Sequence, residues 1–323
     1  MNLLQRPEGS GYPSEYLIAR IAGRRGHLIR DWDVILYHSG PPESLLPEHY
    51  RGLLAEHSEE GVWKRMLIEY RWVYDQMNKS LIHTFIPFFI YSEIQTVVLC
   101  LRHKMEKEDR ADVGNILLFS LLSNKIKDVL MKEAELPLIL EELDRKLFSF
   151  PPKSGGLQET FLKRGLKETE EALYSGLFEH VIGSRLHPVI KSFFVFLIDI
   201  KNIISVYKQL RWEVETGQEF LEGGRINRTV LKKTLSDGKI SDISRFVYQV
   251  AGISIQEPRG SEIRNALYSG LTRNIKSMSR ESSDIGLILN YLWTIQMEAQ
   301  NLSIIFYGRD IERDNLKKEI VIT

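Results

Sequence analysis

The stretch Phe193–Trp212, FFVFLIDIKNIISVYKQLRW, decides how the rest of the chain reads. From Phe193 to Tyr207 it carries only two charges, Asp199 and Lys201. Apolar residues recur at helical spacing on nearly every side, the pattern of a helix buried around most of its circumference. A membrane span needs about 20 apolar residues without a central charge, so this stretch predicts a core helix instead. Asp199 and Asn202 lie three apart, which puts a carboxylate and an amide side by side on one face in apolar surroundings.

Two other stretches repeat the pattern. PFFIYSEIQTVVLCLRHK holds Glu93 and Thr96, and ILNYLWTIQMEAQNLSIIFYGRD holds Glu298 and Asn301. The acids stand 106 residues apart (Glu93 to Asp199) and then 99 (Asp199 to Glu298). An interval this regular points to three copies of one unit. The hexapeptide ALYSGL, Ala172–Leu177, returns unchanged at Ala266–Leu271, each time ahead of a carboxylate helix. In the first third LIEYRWVYDQM, around Tyr70, takes the same place. Each third therefore predicts an amphipathic helix, a turn and a buried helix. The expected boundaries are a flexible lead-in over 1–13 and a single domain over 14–323, divided near 14–110, 111–215 and 216–323.

Composition narrows the function classes. The chain has 323 residues, 43% hydrophobic and 27% charged, an ordinary globular balance. Gly and Pro are sparse, at 22 and 11, which favours helix. Acids and bases balance at 43 each, so no general attraction to nucleic acid or anionic membrane is expected. Cys100 is the one cysteine, which excludes an intramolecular disulfide and fits a reducing compartment. Among Val, Leu and Ile it reads as a small core hydrophobe rather than a nucleophile. The first residues lack the apolar core of a signal peptide, and a cytoplasmic location is expected.

Several local expectations follow. Residues 16–40, interrupted by Gly23 and Gly26, read as a helix. Arg20, Arg24 and Arg25 on it read as a solvated basic face, with a phosphate-binding cluster as the sharper alternative. A helix over Gly61–Asn78 precedes the first buried helix, expected to begin after Pro87. The run Arg102–Asp112 predicts an exposed turn, and 114–131 and 134–148 predict helices. FPPKSGG, Phe150–Gly156, reads as the clearest loop. FLEGGRI, Phe220–Ile226, reads as a turn whose glycines permit positive φ. A further helix is expected from ISDIS, at an Asp or Ser cap. His187-Pro188 predicts a helix entry with Pro first. The closing EIVIT predicts a small strand or an ordered cap.

Motifs for chemistry are missing. There is no G-x-x-x-x-G-K-[ST], no G-x-G-x-x-G, no G-x-S-x-G and no H-E-x-x-H, and no two histidines share a helix at metal-ligand spacing. A di-metal carboxylate bundle needs Glu-x-x-His on two helices; here the third residue on is Thr96, Asn202 and Asn301. Glu93, Asp199 and Glu298 are therefore expected to satisfy backbone or helix-end groups rather than to ligate or catalyse. No catalytic, cofactor-binding or metal residue is assigned, and no cofactor is expected.

The combination of motifs carries a resemblance: Tyr16-x-x-Ala19-Arg20 followed by Arg24-Arg25, His187-Pro188, Asp199-x-Lys201-Asn202 followed by Arg211-Trp212, F-L-x-G-G from Phe220 to Gly224, and E-A-Q-N-L from Glu298 to Leu302. In this order and spacing the chain, from about residue 14 to its end, resembles the C-type subunits of V-type (A-type) ATPases and ATP synthases, known as d-type in eukaryotes. It departs from that pattern at Thr96, where an asparagine is expected, and in a longer leader before Tyr16. The resemblance implies an all-α, funnel-shaped fold of three pseudo-threefold-related helical repeats. It implies a non-catalytic central-stalk adapter that couples the rotor shaft of an ATP-hydrolysing head to the membrane proteolipid ring for proton or sodium transport. The implied partners are the proteins of the central rotor shaft and the ring, with transient contact to the membrane part of the stator. The implied place is peripheral, on the cytoplasmic face of the membrane, with no direct span. The competing readings are a helical-repeat scaffold of another complex and a carboxylate metal enzyme.

Overall fold

A computed structural model describes residues 3–7, 9–38, 42–47, 58–106, 110–147, 156–212, 220–280, 284–308 and 310–321. Every named element among them is helical, and the only β pairing is two isolated bridges, Leu4 with Leu122 and Tyr12 with Met77. The chain forms two compact units, residues 1–14 with 67–190 and residues 15–66 with 191–323.

The first unit is built on α4 (Lys79–Glu106). Asn78 caps it, its Oδ1 accepting from the Leu81 amide at 3.0 Å. Pro87, expected to precede this helix, lies inside it, buried. A proline costs an interior helix one hydrogen bond; here the helix also buries Phe85, Phe88, Phe89 and Ile90, and that burial outweighs the loss. α4 is long and apolar enough to cross a membrane, but its apolar window is 78% buried inside the unit, as in a core helix. α3 (Ser58–Gln76) leads into it, and Tyr70 sets its ring edge-on to Phe88 at 5.6 Å. In place of an exposed turn, Arg102 to Glu106 continue α4, and Arg102 pairs with Glu170 at 2.6 Å.

The pattern over 114–131 forms two helices instead of one: α5 (Arg110–Phe119) and α6 (Asn124–Leu130), parted by extended residues 120–123. α7 (Leu136–Lys146), α8 (Leu157–Arg164) and α9 (Leu166–Gly183) complete the unit, with α9 against α4 through Tyr91, Tyr174 and Phe178. FPPKSGG lies outside the described residues except for Gly156. The lead-in is fastened: Leu3 and Leu4 are buried, and Tyr12 N–H donates to Gln76 O at 3.0 Å.

In the second unit the single helix expected over 16–40 is α1 (Ser14–Arg24), a short 3-10 turn, and α2 (Trp32–Tyr37), which Asp31 caps. α10 (Pro188–Trp212) begins at the expected proline, with His187 Nδ1 accepting from Val189 N–H at 3.3 Å. Sequence reading missed α11 (Arg228–Asp237), which Asn227 caps through the Thr229 amide. α12 (Asp242–Ala251) packs on α13 (Gly260–Arg280) where Gly270 admits the Ala251 backbone; a Cβ there would meet Ala251 Cα at 2.7 Å. α13 and α14 (Asp284–Tyr307) pack through Tyr268 stacked on Trp293, whose indole N–H donates to Thr272 Oγ1 at 2.8 Å. α15 (Arg313–Glu319) meets α2 through Tyr37 and Asp314, 2.6 Å apart, and Lys317 and Asp33 at 2.8 Å.

Candidate functional site

α4, α10 and α14 each carry one acid–amide (or acid–hydroxyl) position on a buried stretch, and each position grips an extended segment. In the first unit Glu93 Oε1 accepts from Leu121 N–H at 2.6 Å and Oε2 from the Ser120 hydroxyl at 2.6 Å. Thr96, three residues on and buried, lies on the same face of α4. In the second unit Asp199 Oδ1 accepts from Arg225 N–H at 2.8 Å and Ile226 N–H at 3.2 Å. Asn202 pairs with both backbone groups of Leu221, receiving N–H at Oδ1 and donating Nδ2–H to O, both at 2.9 Å. Asn301 treats Val321 alike, at 2.9 and 2.8 Å, so the tail as far as Val321 is an ordered cap rather than a strand. Glu298 accepts from the Ile29 amide.

Asn202 and Asn301 hold residues 19 and 20 further on, Leu221 and Val321, whereas Glu93 and Asp199 hold backbone amides 26 to 28 further on. Apolar residues at single positions carry no visible signal. Two of the gripped segments were legible as such, FLEGGRI as a turn and EIVIT as a small strand or an ordered cap. Gly223 has φ 93°, and at Gly224 a Cβ would run into Asp199 Oδ1, so the glycine lets the loop amides reach the carboxylate.

Burial raises the pKa of Glu93 above the usual carboxylate range, against the opposing effect of its Ser120, Leu121 and Thr96 hydrogen bonds. Burial likewise raises Asp199, opposed by the Arg225 and Ile226 amides and the Arg225 charge. Asp199 Oδ2 has no hydrogen-bond partner among the described residues. Burial pushes the Cys100 thiol up to about 12, which removes thiolate chemistry at neutral pH.

The described residues hold no group of three His, Cys, Asp or Glu able to bind a metal ion. A cavity of about 370 Å³ in the first unit is lined by Gln5, Arg6, Arg71 and Tyr74 among others. Its Arg71 is committed to the carbonyls of Phe119 and Ser120. On α1 the Arg20 guanidinium sits 5.8 Å from the Tyr16 ring centre, and Arg25 is exposed. The arrangement is suited to holding backbone in place.

The family model described as ATP synthase (C/AC39) subunit matches residues 49–319. No curated protein matches the chain.

Proposed function

Because the chain belongs to the ATP synthase (C/AC39) subunit family, we propose that it is the non-catalytic rotor adapter of a V-type (A-type) ATPase. In this reading it joins the central shaft of the ATP-hydrolysing head to the membrane proteolipid ring, for proton or sodium transport. It sits peripherally on the cytoplasmic face, with transient contact to the membrane part of the stator and no nucleic-acid partner. The observation that carries the reading is the family match, which runs from before α3 to the end of α15.

The site geometry supports a mechanical part. Glu93, Asp199 and Glu298 all accept backbone amides, the use of a carboxylate in a scaffold. Packed interiors deform little, as a torque-bearing element requires. We propose that Glu93, Thr96, Asp199, Asn202, Glu298 and Asn301 are equivalent structural positions of three repeats.

The test is assembly of the complex with and without this chain. Without it the soluble head should keep hydrolysing ATP while ion pumping stops. The isolated chain should bind the shaft proteins and detergent-solubilised ring, and no nucleotide. Pumping that stays coupled to hydrolysis in its absence overturns the reading.

A further inference from the structure

We infer that residues 3–5 form a built-in extended arm that supplies a backbone donor at the first acid–amide position, where Thr96 stands three residues after the acid and the other two positions have Asn202 and Asn301. At the second and third positions one asparagine serves both backbone groups of one residue. Asn202 takes the N–H and the C=O of Leu221, and Asn301 those of Val321. At the first position Glu93 takes the N–H of Leu121. Thr96 is shorter than asparagine and carries a single hydroxyl in place of an amide. A fully buried carbonyl left without a donor is costly. Leu121 O has one: the Gln5 N–H, at 2.7 Å.

The arm is fitted to that task. Leu4 forms an antiparallel bridge with Leu122, and Ser123 N–H donates to Leu3 O at 2.7 Å. Leu3 and Leu4 are 5% and 7% exposed. The Tyr74 hydroxyl donates to Gln5 O at 3.0 Å, and Arg71 donates to the carbonyls of Phe119 and Ser120. Farther along, Tyr12 N–H donates to Gln76 O, and Asn78 Nδ2–H to Tyr12 O at 3.3 Å. The extended segment 120–123 is thus paired, backbone to backbone, with an arm near the chain's own N-terminus. This inference does not depend on the rotor reading.

The test uses the full chain and four versions: unchanged, Gln5→Pro, Thr96→Asn and both. Proline at position 5 removes the N–H while suiting an extended arm. Amide exchange at Leu121 and Ser123 is the readout. Gln5→Pro should speed exchange at both by about tenfold in the unchanged background. With Thr96→Asn present, Leu121 should hold its protection. Equal acceleration at Leu121 in both backgrounds, or none in either, overturns the inference. A second measurement covers a Thr96→Asn chain that does not fold. Leu3→Asp with Leu4→Asp should detach the arm and expose Leu121. A synthetic peptide of native residues 1–13 should restore protection, and the same peptide with Gln5→Pro should not. Failure of the native peptide, or equal rescue by both peptides, counts against it.

Discussion

Asp199 spends one carboxylate oxygen on two loop amides and leaves the other without a partner among the described residues. Replacing it with alanine should strand both amides and lower stability by about 1–3 kcal/mol, measured by urea unfolding. Gly224→Ala should cost a similar ~1–3 kcal/mol, because the new methyl runs into the same oxygen. Asp199→Ala removes that obstacle, so the double variant should be less destabilised than the sum of the singles; strict additivity would mean that the glycine serves some other purpose. Glu93 gives a pH prediction. Its folded pKa lies above the unfolded value of about 4.5, so the folded state holds the proton more tightly. The stability this contributes is complete below the unfolded value and is lost as pH rises through the folded one. Glu93→Gln cannot titrate. The stability of the unchanged chain relative to this variant should therefore fall as pH climbs from 4.5 toward neutrality. Paired unfolding curves across that range would refute the burial argument if the difference grew instead.

At the scale of elements, the buried helices were legible because burial on all sides writes itself as an unbroken apolar run, and α10 starts at the proline that announced it. The breaks were not. LLFSLLSNKIKDVL keeps helical period straight through Ser120–Ser123, yet there the backbone turns its groups to Glu93 and the N-terminal arm. Those partners lie about 28 and 116 residues away in sequence, beyond any local window. The same cause split residues 16–40, where Ile29 N–H goes to Glu298 instead of into a helix. The acids and amides of the site were legible by type and spacing; the residues they grip were not, since Leu121, Leu221 and Val321 look like any other apolar residue. The ALYSGL repeat was visible, but not that its second glycine, Gly270, sets the α12–α13 approach. Gly270→Ala should push the Ala251 backbone away and cost roughly 1–3 kcal/mol, read as a lowered unfolding midpoint; a neutral outcome would show that α12 can shift freely on α13.

At the scale of the whole molecule, the proposed adapter role makes stiffness the property under selection. An adapter can bind both partners and still fail by yielding when torque is applied. The asparagine clamps are where such yielding would begin in the second unit. Each fixes an extended segment that has no helix of its own to hold it, at Leu221 and at Val321. Removing both amides, by Asn202→Ala with Asn301→Ala, leaves four backbone groups without those partners, at a cost of about 1–3 kcal/mol per site. A chain weakened this far should still fold and assemble if its starting stability is ordinary. ATP hydrolysis by the reconstituted complex against no ion gradient should then be little changed, because unloaded rotation asks little of the adapter. As the gradient builds, the same complex should hydrolyse ATP without further pumping and settle at a smaller gradient than the unchanged complex. The measurement is the steady ion gradient in sealed vesicles alongside hydrolysis rate, with and without an ionophore. Pumping and hydrolysis falling together at every load would mean that the clamps serve assembly rather than torque.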